Sequence, residues 1–171
     1  FTVVGGCHAS VKPEDFHLPD VDAVVVGGGE RIFPALVGKL SKGEDPLEVR
    51  GLWGRTGDRF IFTGEADPIK DLNGFPAPNR HLTQGYRHLY YFGSNRPAAA
   101  IMTSRGCPFR CSFCSIWRTM QGRYLLRDPG KVVQELSGVR EKHVFIADDN
   151  TLSHARHAEA LFSVIRDSGI Q

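Results

Sequence analysis

Three times along this chain a short apolar run gives way to a loop and then to a helix with one apolar stripe, and that order restricts the fold to strand–loop–helix units. In the front part, Asp22 to Val26 is an apolar run stopped by Gly27-Gly28-Gly29. Arg31 to Leu40 then places Ile32, Leu36, Val37 and Leu40 at helical spacing. Pro34 falls in the first turn of that expected helix, where a missing amide donor costs little. Phe1 to Val4 reads as the end of another buried strand, stopped by Gly5-Gly6. In the back part, Ala98 to Met102 is a strand followed by a long loop. Asp128 then caps a helix that opens on Pro129 and carries Val132, Val133, Leu136 and Val139. His143 to Ala147 is the next strand, ending in Asp148-Asp149-Asn150. Ala155 to Asp167 follows as an amphipathic helix with Ala158, Leu161, Phe162 and Ile165 on one side. The pattern is that of a parallel sheet, and the expected fold class is α/β throughout.

Between these parts the chain is irregular. Leu52 to Thr56 and Phe60 to Thr63 read as a hairpin around Gly57-Asp58. Residues 71–80, Asp-Leu-Asn-Gly-Phe-Pro-Ala-Pro-Asn-Arg, read as an ordered linker. The organisation is therefore a front part over residues 1–50, a hairpin and proline-rich linker over 51–95, and a back part over 96–171.

Composition excludes several classes. Lys and Arg total 21 against 19 Asp and Glu, a net charge of +2, so nothing points to a nucleic-acid partner. No apolar run approaches the roughly 20 residues of a membrane helix. No segment looks like a signal peptide, and the chain opens at Phe1 inside an apolar run, as expected of a fragment.

The chemistry concentrates in the loop after Ala98–Met102. Cys107, Cys111 and Cys114 stand in Cys-Pro-Phe-Arg-Cys-Ser-Phe-Cys, a C-x3-C-x2-C spacing. With no export signal, a reduced cytoplasmic metal site is a better reading than disulfides. Three thiolates converging on one centre suit an iron–sulfur cluster, zinc or copper(I). A structural zinc site needs a fourth ligand, and His88 and His143 have no zinc-finger spacing to these cysteines. Cys7 stands far away and reads as a small buried thiol. The loop follows a strand of a parallel sheet, where such folds place their chemistry.

Residues 103–114, Thr-Ser-Arg-Gly-Cys-Pro-Phe-Arg-Cys-Ser-Phe-Cys, resemble the cluster motif of the radical S-adenosylmethionine (SAM) enzymes. Val-Val-Gly-Gly-Cys-His-Ala-Ser and Val-Asp-Ala-Val-Val-Val-Gly-Gly-Gly-Glu resemble the later part of a cobalamin-binding domain, and Phe-Pro-Ala-Pro-Asn-Arg resembles the linker joining the two. Together they resemble the cobalamin-binding radical SAM proteins, whose members include methyltransferases and a porphyrin ring cyclase. The resemblance implies a trailing part of a Rossmann-like cobalamin domain in front and the leading part of a radical SAM partial barrel behind. It implies that Cys107, Cys111 and Cys114 ligate a 4Fe–4S cluster whose fourth iron is chelated by SAM, with Phe113 near the adenine. Loop packing is the alternative for that ring. The family carries a polar motif where Asp148, Asp149 and Asn150 stand, contacting the SAM amino group. The motif is often Gly-Gly-Glu, and here it departs to Asp-Asp-Asn; capping the next helix is the alternative. Gly5, Gly6, Gly27, Gly28, Gly29 and Glu30 would approach the cobalamin nucleotide tail, or serve only as tight strand-to-helix turns. No Asp-x-His-x-x-Gly segment, the family's cobalt-ligating motif, occurs, and His8 is expected to be structural or to touch the tail.

The implied partners are a small-molecule substrate and an electron donor such as flavodoxin or ferredoxin. The competing class is a non-catalytic zinc- or corrinoid-binding module. A barrel needs more βα units than the two seen behind residue 96, so the isolated chain is expected to be inactive. In the intact protein, alanine at Cys107, Cys111 or Cys114 should abolish cluster binding while Cys7→Ala should not, as iron and sulfide analysis of the four variants will read.

Overall fold

The computed structural model describes residues 1–170, which form two compact units: residues 1–69 with 118–121, and residues 70–117 with 122–170. The first unit contains β1 (Val3–Val4), α1 (Cys7–Val11), β2 (Ala23–Val25), α2 (Gly29–Ser41), β3 (Leu52–Thr56) and β4 (Arg59–Phe62). Its sheet order is β1-β2-β3-β4. β1 and β2 are parallel, with Val3 opposite Ala23. β3 runs antiparallel on the other side of β2, and β4 returns beside it through a two-residue turn in which Gly57 takes a left-handed φ of 59°. The sheet is therefore mixed, because the hairpin expected around Gly57-Asp58 docks onto the parallel pair.

All three β2 residues are buried, since both faces of the strand are covered. Val25 packs with Ile32, Leu36, Val49 and Leu52. Val24 points the other way, into a cluster with Ala9 and Val21, edged by Phe16, Trp53 and Phe60. Two expectations need correction here. The helix α2 begins earlier than Arg31, with Gly28 at its N-cap, so Pro34 lies inside it and cannot bond the Glu30 carbonyl. Burial of Ile32 and Leu36 on the face of α2 outweighs that lost bond. Cys7 is exposed, not buried, because it opens α1 directly after Gly6 and only Ala9 of that helix turns inward.

The single turn α3 (Ile116–Thr119) straddles the division, with residues 118 and 119 counted in the first unit. The second unit otherwise contains β5 (Ala98–Ile101), β6 (Ser104–Gly106), β7 (Tyr124–Leu126), α4 (Pro129–Ser137), β8 (His143–Ile146) and α5 (Ala155–Asp167). β5 and β8 pair in parallel, from Ala98 opposite His143 to Ile101 opposite Ile146. The chain passes between them by way of α4, whose N-cap Asp128 accepts from the Lys131 amide as expected. Ile101, Val132, Leu136 and Leu161 form the core beneath the strands, with Ile146 and Ile165 packed against it. Phe162, expected on the same stripe, is instead exposed. The linker is ordered against this unit. The Asn73 side-chain oxygen accepts from the Asp128 amide at 2.7 Å, and Leu72 is buried. A 3-10 run, Arg80–Leu89, which no apolar periodicity announced, continues from it. No helix among the described residues is long and apolar enough to cross a membrane.

Leu161 is fully buried and Phe162 is not. Leu161→Ala should therefore destabilise the second unit by about 3 kcal/mol, and Phe162→Ala by less than about 0.5 kcal/mol, in denaturant unfolding monitored by hydrogen exchange.

Candidate functional site

The cysteine loop starts where β5 ends. Met102 and Thr103 lead into β6, which pairs antiparallel with β7 from Ser104 opposite Leu126 to Gly106 opposite Tyr124. This ribbon, missed in the sequence because its strands are too short to show alternation, closes the base of the loop over residues 107–123. The ribbon and the end of β8 are joined by side chains. Asp148 accepts from the Thr103 amide at 2.6 Å, and also from the Thr103 and Ser104 hydroxyls. Thr103 and Ser104 are each 1% exposed. Asp149 accepts from the Gly106 amide at 2.8 Å. The Asn150 amide nitrogen lies 3.8 Å from Cys107 Sγ, and the Tyr124 hydroxyl donates to the Asn150 carbonyl at 3.0 Å. The alternative that these residues cap the next helix does not hold, since His154 is the N-cap of α5.

The structure thus brings Asp148, Asp149 and Asn150 to the root of the cysteine loop. Beyond that root, Cys111 is exposed and Cys107 and Cys114 are partly so, and all three are free thiols. The Cys114 amide donates to the Cys111 carbonyl at 3.1 Å, as does the Trp117 indole. Phe113 is 91% exposed, so packing within the loop does not hold its ring. Among the described residues no three His, Cys, Asp or Glu side chains gather into a metal-holding group. The expected convergence of the three sulfurs is therefore absent from the loop as it stands. The donor set itself, three reduced thiols in one exposed loop, suits a soft metal centre.

β5, which carries this loop, is supported along its other edge. The Ile101 carbonyl faces β8 and accepts from Ala147 at 2.8 Å. The carbonyls on either side of it, of Ala100 and Met102, point away and accept from the guanidinium groups of Arg80 and Arg127, each at 2.7 Å. Both guanidinium groups also reach the buried Glu135 carboxylate at 2.7 Å. Neither a charge run nor a spacing marks these three residues. The one available signal was a glutamate beside the apolar positions of α4.

The first unit holds the remaining candidates. Gly5 and Gly6 form the corner after β1, and Gly27 and Gly28 the corner after β2, while Gly29 and the exposed Glu30 open α2. Gly6 and Gly27 have φ of 104° and 97°, values that require glycine. Ser10, which closes the quoted Val-Val-Gly-Gly-Cys-His-Ala-Ser segment but was given no role of its own, joins the two corners. Its hydroxyl donates to the Gly6 carbonyl at 2.8 Å and accepts from the Gly27 amide at 3.0 Å. His8 pairs with Asp15 at 2.8 Å and sets its ring edge-on to Phe16, a local brace.

Residues 101–171 match the family described as the Radical SAM superfamily. Over all of its length the chain is 35% identical to hopanoid C-3 methylase of Methylococcus capsulatus, of which it covers 33%. It is 31% identical, over 91% of its length and 29% of the relative, to the anaerobic magnesium-protoporphyrin IX monomethyl ester cyclase of Rubrivivax gelatinosus. The chain thus spans about a third of the length of the curated relatives it matches. Among solved structures it resembles the radical S-adenosylmethionine methyltransferase TsrM of Kitasatospora setae, with cobalamin and a [4Fe-4S] cluster bound. The TM-score is 0.65 at 24% identity, over 94% of this chain and 33% of that one, a likeness of fold.

A titratable side chain lies near Asp148. His157 is half-buried with its Nε2 unpartnered. Burial holds its pKa below the ordinary histidine value, His154 pushes the same way, and Asp148 and Asp128 oppose them. Because the folded pKa is depressed, the neutral ring stabilises the fold above about pH 6.5, and that stability is lost as pH falls through the lowered value. His157→Gln should flatten the stability-versus-pH curve between about pH 7 and pH 5, measured by thermal unfolding across that range.

Proposed function

We propose that this chain, which belongs to the radical SAM superfamily, forms the cluster-binding and cobalamin-binding segments of an enzyme that cleaves SAM reductively to modify a small molecule. The observation that carries the reading is the C-x3-C-x2-C loop rooted at the carboxyl ends of the parallel strands β5 and β8. Cys107, Cys111 and Cys114 would hold a 4Fe–4S cluster through their sulfurs. The exposed Cys111 and the partly exposed Cys107 and Cys114 would be drawn together as the metal centre binds. When bound, the cluster supplies the electron that breaks a carbon–sulfur bond of SAM, giving methionine and a 5′-deoxyadenosyl radical.

The chain's own residues supply binding and placement. Asp148 is occupied by Thr103 and Ser104, whereas Asp149 is exposed and spends one oxygen on the Gly106 amide. We therefore assign the SAM ammonium to Asp149, with charge-assisted acceptance by its second oxygen. Phe113, with its ring face open, would cover the adenine. In residues 1–50 the glycine corners at Gly5-Gly6 and Gly27-Gly28, with Gly29 and Glu30 beyond them, would let backbone approach the nucleotide tail of cobalamin. Residues 51–95 would join this cobalamin segment to the radical SAM segment over 96–171. Similarity to a methylase and a cyclase favours methyl transfer or ring formation on a small-molecule substrate.

Anaerobic reconstitution of the intact protein with iron and sulfide should give a cluster chromophore, then 5′-deoxyadenosine and methionine from SAM under a reductant. Asp149→Ala should weaken SAM binding roughly tenfold, the value of one charge-assisted hydrogen bond. Uptake of a single zinc without iron would sink the reading in favour of a non-catalytic module.

A further inference from the structure

We propose that Asp148, Asp149 and Asn150 form a three-point clamp that fixes Cys107 before a metal arrives, making it the anchor thiol on which a cluster is built. The anchor role rests on the reading that these thiols ligate a cluster; the clamp itself does not. Consecutive residues at the end of β8 engage successive positions at the root of the loop. Asp148 takes Thr103 and Ser104, Asp149 takes the Gly106 amide, and Asn150 takes Cys107 Sγ. The circuit closes through Tyr124, paired with Gly106 across the ribbon and bonded by its hydroxyl to the Asn150 carbonyl. The acceptors on Thr103 and Gly106 are carboxylates, which makes these bonds stronger than neutral ones. Cys111 and Cys114 have no such support. Their hydrogen bonds run through the Cys111 carbonyl and the Cys114 amide, and among the described residues their sulfurs accept none.

The asymmetry has a chemical meaning. A chain that must gather three sulfurs does so with less ordering when one is already placed. An N–H directed at a ligating sulfur also stabilises the reduced state of a cluster, which raises its potential. These three are thus positioning residues for Cys107, and Asn150 also tunes what Cys107 holds.

Hydrogen exchange in the metal-free intact protein tests the clamp directly. Asp148→Ala should speed exchange of the Thr103 amide, which donates to Asp148, by about tenfold, one charge-assisted bond's worth. Asp148→Asn, whose amide oxygen still accepts from Thr103, should restore part of that protection. Ser104→Ala removes one partner with no change of charge and should give a smaller effect in the same direction, which covers failure of Asp148→Ala to fold. On anaerobic titration with iron and sulfide, Asp148→Ala should lower cluster affinity about tenfold or more. Asn150→Ala should shift the midpoint potential to more negative values, a change that general loosening of the fold does not produce. Wild-type exchange in both Asp148→Ala and Ser104→Ala overturns the clamp. An unchanged potential in Asn150→Ala overturns the bond to Cys107. If the wild-type protein takes up no iron and sulfide, the cluster reading and the anchor role fail together, while the exchange data still decide the clamp.

Discussion

Glu135 is the group on which the second unit turns. A strand at the edge of a sheet leaves carbonyls without partners, and among the described residues β8 is the one strand paired with β5. Arg80 and Arg127 take the place of a neighbouring strand by donating to Ala100 and Met102, and one carboxylate, 4% exposed, holds both in place by accepting from each guanidinium. Three charges brought into a partly dry interior are tolerated only when they satisfy one another, and removing one member of such a set leaves an uncompensated buried charge. The arrangement also fixes the ends of two segments. Arg80 opens the 3-10 run after the linker, and Arg127 leaves the ribbon at the base of the cysteine loop.

A division of labour follows among the acidic residues around the loop. Asp148 is committed to structure, with both oxygens bonded within the unit. Asp149 is half committed. Adjacent residues of similar chemistry are thus separated by their partners and not by their identity. The same holds for the cysteines, where the one nearest the ribbon is seated and the two further out are not.

Much of this was legible before the coordinates. The helix Ala155–Asp167, the capped start of α4 and the two-residue hairpin turn were readable because each depends on local chemistry: an apolar stripe, an aspartate before a proline, a glycine at a reversal. The C-x3-C-x2-C spacing located the loop. What escaped was non-local. Glu135 reads as a surface residue of α4 until its partners arrive from positions 80 and 127. The β6–β7 ribbon is three residues a side and carries no alternation. Pro34 read as part of a first turn because Gly27-Gly28-Gly29 ahead of it read as loop, whereas tertiary burial drew the helix back to Gly29. Phe162 satisfied the helical period and still faces outward, since periodicity fixes a stripe but not its width.

Ser10 leaves the first unit with an unusual mechanical property. One hydroxyl, donating to the corner after β1 and accepting from the corner after β2, acts as a pin through two hinges. Neither bend can shift far without straining a hydrogen bond that leads to the other, so the two glycine elbows are tied into one element at a set gauge.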